Sequence, residues 1–162
     1  MPQRPTDESG FTLLESLLAS VFLSVSLLAL SAMQGVSLAR NVDASELTRV
    51  TNLASDIIER IQFNRKNVND YIGLDTKAGT PCPATMGLMA RGDCLQWKAM
   101  LEEPAARLDT AKGTVSVTAE GPISPALNQR RVTVTVSWNG SNSGSTVKRS
   151  RSITLETVIA PE

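Results

Sequence analysis

The feature that most constrains this chain is a stretch without charge. Between Glu15 and Arg40 there is no Asp, Glu, Lys or Arg, and Phe11 to Met33 is predominantly apolar. A hydrocarbon core roughly 30 Å thick is crossed by about 20 such residues as helix, so this segment is long enough to span a bilayer. One acid interrupts it. Glu15 lies five positions after Gly10 and just before the apolar run Ser16 to Met33. An unpaired carboxylate in hydrocarbon costs at least a few kcal/mol, which makes its partner the functional question.

Met1 to Gly10 is polar, with two prolines and the charges Arg4, Asp7 and Glu8. It reads as a leader removed on maturation. A secretory signal is cut after its apolar run, whereas the candidate glycine here precedes it, so the apolar segment is kept. Thr12-x-x-Glu15 also fits the capping-box pattern. On that reading the acid marks a helix start and nothing more.

Gly10-Phe11-Thr12-Leu13-Leu14-Glu15, followed by a long apolar helix, resembles the class III signal of type IV prepilins. The resemblance implies that prepilin peptidase cuts between Gly10 and Phe11, that Phe11 is then N-methylated, and that Glu15 guides filament assembly. It implies an α+β type IV pilin fold: a long N-terminal helix with its apolar half protruding and its amphipathic half packed on a small antiparallel sheet of three or more strands. It also implies a single pass through the inner membrane with the C-terminal head in the periplasm, and later a place in the pilus. Its partners would be other minor pilins, the major pilin, prepilin peptidase and the inner-membrane assembly platform. Orientation rests on the resemblance, because Arg4 alone competes with Arg40 and Arg49 across the span. After cleavage the new amine of Phe11 lies one turn from Glu15, and such a pair attracts strongly in low dielectric. Pairing within one chain neutralises the acid; pairing between chains sets an axial register.

Ser16, Ser20 and Ser24 recur every four residues in the span. Small residues at this spacing let helices approach closely; alternatively each hydroxyl simply bonds a carbonyl one turn back. Beyond Met33, Leu47, Val50, Ala54, Ile57, Ile58 and Ile61 recur at three and four, an amphipathic pattern with Glu46, Arg49, Asn52, Glu59 and Arg60 facing away. No proline occurs from Phe11 to Thr80, so one helix to about Asn67 is expected, roughly 85 Å long. Gly35 is its weakest internal point.

Asn64 to Asp70 is turn-prone, and the chain is loop-like from there to Met89. Cys82 and Cys94 enclose 11 residues. An oxidising compartment favours a disulfide; free thiols or a metal site are the alternatives, the latter poorly served without histidine. Asp93 to Leu101 reads as a short helix capped by Asp93, with Cys94, Trp97 and Leu101 on its buried face. Asp93, Trp97, Leu101 and Pro104 resemble a D-x-x-x-W-x-x-x-L segment of PilV-type minor pilins, the type IV pilus modification proteins. Their usual Leu-Pro-Gly-Gly turn is absent, since Pro104 is followed by alanines. Three alternating runs follow, Thr114 to Ala119, Val132 to Trp138 and Val147 to Ile159, an antiparallel sheet with one wet side. Gly121 to Pro125 separates the first two, and Asn139 to Ser145 forms a hairpin loop.

The expected organisation is a leader over 1–10, a membrane or filament-core helix over 11–35, and its amphipathic continuation over 36–67. A loop region with a short helix and the disulfide covers 68–112, and the sheet covers 113–162. Lys+Arg and Asp+Glu number 16 each, which argues against an electrostatic nucleic-acid binder. The chain has no histidine, so the ordinary Ser-His-Asp and Cys-His pairs are excluded. No catalytic constellation emerges, nor any pattern that calls for a cofactor or metal. A minor pilin that primes or joins a type IV pilus is the expected function. A type II secretion minor pseudopilin, or a pilus-tip adhesin or DNA-uptake component, are alternatives. Arg130-Arg131 and Lys148 to Arg151 are expected at adjacent ends of the last hairpin, either as an anion-binding edge or as protection of that edge against aggregation.

Overall fold

The computed structural model describes residues 9–77, 79–103, 108–119, 128–140 and 149–161, with side chains from Thr12 onward. The expected leader before Ser9, Pro104, Gly121 to Pro125, Ser141 to Ser145 and Lys148 lie outside the described residues, as do the side chains of Gly10 and Phe11. The chain forms two compact units, Met1–Asn41 and Val42–Glu162. Helix α1 (Ser9–Phe63) contributes to each.

The second unit is α+β. After α1 come two short 3-10 turns within Arg65–Tyr71, strand β1 (Leu74–Asp75) and helix α2 (Leu88–Glu102). Strands β2 (Asp109–Ala119), β3 (Arg130–Gly140) and β4 (Arg149–Ile159) complete it. The four strands make one antiparallel sheet in the order β1-β2-β3-β4. Strand alternation puts Val115 and Val117 of β2, and Val132, Val134, Val136 and Trp138 of β3, on the buried face. They share one core with Val50, Ala54, Ile57 and Ile61, the three-and-four stripe of α1.

Trp97 ties three elements together. Its ring is fully buried, and its Nε1–H donates to the Leu53 carbonyl of α1 at 2.9 Å. The ring lies so close to β2 that a Cβ at Gly113 would overlap its six-membered part. Gly113 cannot retreat, because its N–H donates to Thr76 Oγ1 at 2.8 Å and its carbonyl accepts from the Thr76 N–H at 2.9 Å. Only glycine lets strand and indole approach this closely. The same face of α2 carries Cys94, Ala90 and Leu101, all buried, as its spacing predicts. Cys94 is bonded to Cys82, with 6.0 Å between the Cα atoms. The bridge pins the segment before α2 to its buried face, and closing such a loop stabilises by about 3 kcal/mol.

Several expectations are corrected. The α-helical part of α1 stops at Phe63, because the asparagines that follow favour tighter local bonds: Asn67 N–H bonds the Asn64 carbonyl at 2.9 Å. Asp93 is no cap. The N-cap of α2 is Gly87, and Asp93 sits a turn inside, where it accepts from other elements. Glu46 does not face water; it is 6 % exposed, whereas Leu47 is 49 % exposed. Strand β1 has only two residues and shows no alternation to read. Finally, Arg130 pairs with Ile159 and Gly140 with Arg149, so the two basic clusters lie at opposite ends of the β3–β4 hairpin.

The Trp97–Gly113 contact predicts that Gly113→Ala forces ring or strand to move and costs about 1–3 kcal/mol. Gly92, inside α2, is the control, because a Cβ added there would meet nothing within 4 Å. Gly92→Ala should be neutral or stabilising by up to about 1 kcal/mol. Urea midpoints of the two variants against wild type check this, and equal midpoints would remove the close-approach argument.

Candidate functional site

The first unit is helical from Ser9, and its described large apolar side chains, among them Leu13, Leu17, Phe22 and Leu28, are more than half exposed. Among the described residues, α1 is the one helix long and apolar enough to cross a membrane, by length and composition. An all-round apolar surface of this kind belongs in lipid or against other helices.

Glu15 is exposed on this surface and makes no side-chain hydrogen bond or ion pair among the described residues. The helix already runs three residues ahead of Thr12. Thr12 is therefore inside the helix rather than at its N-cap, which leaves the capping box without the geometry it needs. Gly10 and Phe11 are in the helical backbone, placing Phe11 and Glu15 one turn apart.

The serines of the span turn inward on their own helix. Ser16 Oγ donates to the Leu13 carbonyl at 3.0 Å, Ser20 to Leu17 at 2.7 Å and Ser24 to Ser20 at 2.7 Å. Ser26 and Ser31 do the same one turn back. Each hydroxyl is thus satisfied without water, as an apolar medium demands. Glu15 is the polar group that this local solution does not serve.

In the second unit, two polar clusters attach the later part of α1 to the head. At one, Arg60 Nε donates to Asp56 at 2.8 Å, while its Nη1 reaches Gln96 at 2.6 Å and Asp93 at 3.4 Å on α2. Tyr71 is buried and its hydroxyl donates to Asp93 at 2.6 Å, accepting from Asn64 Nδ2 at 3.3 Å. Burial pushes the Tyr71 hydroxyl well above its ordinary value, and the bond to Asp93 pushes the same way. The hydrogen bond to Asp56 holds the Arg60 guanidinium even more firmly protonated.

At the other cluster, buried Glu46 accepts from Trp138 Nε1 of β3 at 3.3 Å. Arg151 of β4 reaches Asp43 at 3.0 Å and Glu46 at 3.9 Å. Gly140 leaves room for that guanidinium, since a Cβ there would come within 2.7 Å of Arg151 Nε. The amphipathic pattern hid Glu46, because a carboxylate at a polar position of such a helix reads as solvated. The available signal was the surplus of donors, Trp138 and Arg151, on strands facing that helix.

Two of the basic residues singled out on the hairpin are engaged in ion pairs. Arg131 is paired with Glu156 at 3.1 Å and Arg151 with Asp43. With Arg130 and Arg131 at one end of the hairpin and Arg149 and Arg151 at the other, the described basic residues do not form one anion-binding edge. Comparison with protein families, with curated proteins and with solved structures finds no match to this chain.

Tyr71 is the only tyrosine in the chain, so tyrosinate absorbance reports it alone. The folded value is raised above that of the unfolded chain, about 10. The stabilisation from its neutral hydroxyl is therefore complete below about pH 10 and is lost as pH rises through the folded value. Tyr71→Phe should cost about 1–2 kcal/mol at neutral pH and flatten the alkaline decline. An absorbance titration with an ordinary tyrosine midpoint would contradict the buried Tyr71–Asp93 bond.

Proposed function

We propose that this chain is a pilin-like filament subunit, a minor pilin of a bacterial type IV pilus, and that its role is structural rather than catalytic. One observation carries the reading: the all-round apolar stretch of α1 from Ser16 to Met33 has self-satisfied serines, and Glu15, the only charge between Thr12 and Arg40, lies one turn from Phe11 and five residues after Gly10. The amphipathic continuation of that helix under an antiparallel sheet, and a head held by a disulfide, support the same reading.

The mechanism is one of packing. Prepilin peptidase cuts Gly10–Phe11 at the inner membrane, and the head stands in the periplasm. The helix then leaves lipid for a bundle of like helices, an exchange of one apolar environment for another that costs little in burial. Direction and register come from the charge that lipid tolerates least. Glu15 of an incoming subunit pairs with the amine of Phe11 in a neighbour, and a subunit seated out of step leaves that carboxylate unpaired at a cost of several kcal/mol. The major pilin, other minor pilins and the assembly platform are the partners in this scheme.

Gly10→Val should leave the precursor uncut. Mass spectrometry of wild type should show a chain beginning at methylated Phe11, and of the variant a chain that retains its leader; a mature wild-type chain beginning at Met1 sinks the processing claim. Glu15→Ala should still insert in the membrane yet be missing from sheared filaments. Incorporation of that variant at the wild-type level would remove the register role of Glu15.

A further inference from the structure

The serines of α1 are not all alike. Ser16, Ser20, Ser24, Ser26 and Ser31 each donate to a carbonyl of their own helix. Ser37 does not, and neither it nor Arg40 nor Asn41 makes a side-chain hydrogen bond or ion pair among the described residues. These three stand where the uncharged stretch ends. Arg40 is the first charge after Glu15, and the nearest acid in sequence, Asp43, is taken by Arg151. Positions three and four apart are neighbours on a helix, so Ser37, Arg40 and Asn41 share one face. Met33 and Val36 continue that face one turn earlier, both more than half exposed, and all five line one shallow concavity. Phe11 and Arg40 are 29 residues apart, about 44 Å of helix. A bilayer with both headgroup layers measures about 40–45 Å. In the membrane placement proposed above, with Phe11 at one face, α1 therefore carries Arg40 into the headgroup layer of the other.

We propose that Ser37, Arg40 and Asn41 form a binding site for the phosphodiester of an anionic phospholipid, one such as phosphatidylglycerol whose headgroup brings no cation of its own. The inference rests on the membrane placement of α1 but not on filament assembly. Helical side chains lean toward the N-terminus, which here is the membrane end, so Arg40 is directed at the phosphate layer. Its planar guanidinium presents paired N–H donors that match two phosphate oxygens at once. The Ser37 hydroxyl, one turn nearer the membrane, and the Asn41 amide beside it add neutral donors. Beneath them, Met33 and Val36 offer apolar surface to the first methylenes of an acyl chain. Donors above and methylenes below are the order in which a phospholipid presents its own parts. A zwitterionic lipid fits less well, because its ammonium competes for the same phosphate oxygens. An exposed arginine on a membrane helix is attracted to any anionic surface as a charge alone. What makes a site of this one is the pair of uncommitted neutral donors beside it. The site also gives a use to a cation on the side of the membrane where Lys and Arg are usually scarce.

Spin-labelled lipids report which headgroups linger beside a membrane helix. The full-length chain, reconstituted in phosphatidylcholine vesicles, should hold spin-labelled phosphatidylglycerol severalfold more strongly than spin-labelled phosphatidylcholine. Arg40→Gln should abolish the preference. Arg40→Lys keeps the charge but loses the planar fork, and the double variant Ser37→Ala with Asn41→Ala keeps the arginine but loses its neighbours. Each should lose most of the preference. All three side chains are exposed, so folding of the head is not at stake. Arg49→Gln, nine residues further along α1, should keep the wild-type ratio. Retention of that ratio by Arg40→Lys or by the double variant would leave only a charge near an anionic surface and overturn the site, as would its loss in Arg49→Gln. Loss of the preference when inorganic phosphate replaces chloride at equal ionic strength would assign the donors to the free anion and overturn the lipid as their ligand. Alkaline carbonate extraction separates the two levels of the reading. A wild-type chain stripped from the vesicles fails the membrane placement and the site with it, whereas an inserted chain with no preference for phosphatidylglycerol overturns the lipid site alone.

Discussion

The head depends on one side chain inserted where backbones almost touch. Trp97 brings α2 onto α1 through the Leu53 carbonyl and onto β2 through the missing side chain of Gly113. A buried indole N–H without an acceptor costs about 1–3 kcal/mol, and a helical carbonyl has a second lone pair to offer it. This anchors α2 along α1 at one height only. The disulfide then fixes the preceding segment to the same face, and Thr76 ties β1 to Gly113 from the other side. Removing the contact would leave several separately weak connections where there is now one packed unit.

Around that contact the electrostatics follow burial. Glu46 is a carboxylate inside an apolar core, tolerable because Trp138 donates to it and Arg151 stands 3.9 Å away. Asp93 similarly collects Tyr71 and Arg60. In both clusters an acid or base from a helix meets its complement from a different element. Such groups contribute less to net stability than to specificity, since a sheet docked out of register would strand a buried charge.

How much of this was legible depended on whether a signal was local. The apolar run, the stripe Val50, Ala54, Ile57 and Ile61, the face of α2 and the three long strands are all periodic patterns, and periodicity is readable from neighbours in sequence. The cysteine pair was legible from its spacing once an oxidising compartment is assumed, and the structure joins Cys82 to Cys94. What escaped was set by partners far away. Glu46 is buried because of residues about 90 positions later, and Asp93 is an acceptor because Tyr71 and Arg60 fold back to it. Gly113 carries no local signal of its role, which comes from the ring of Trp97 occupying the place of its missing Cβ. The hairpin charges were misplaced for a similar reason: an antiparallel pair puts the start of one strand beside the end of the next, so Arg130 meets Ile159 and not Arg149.

Along α1 the chemistry changes within a short span. From Glu15 to Arg40 there is no charge; then Asp43 pairs with β4, Glu46 is buried, and Val50 begins the fully buried stripe. The helical backbone is indifferent to this change, because its hydrogen bonds are internal in lipid and water alike. Side chains alone decide the surroundings of each turn. One helix can thus carry an all-apolar stretch and an amphipathic one in succession. Among the described residues, Glu15 has nothing like what Trp138 and Arg151 supply to Glu46.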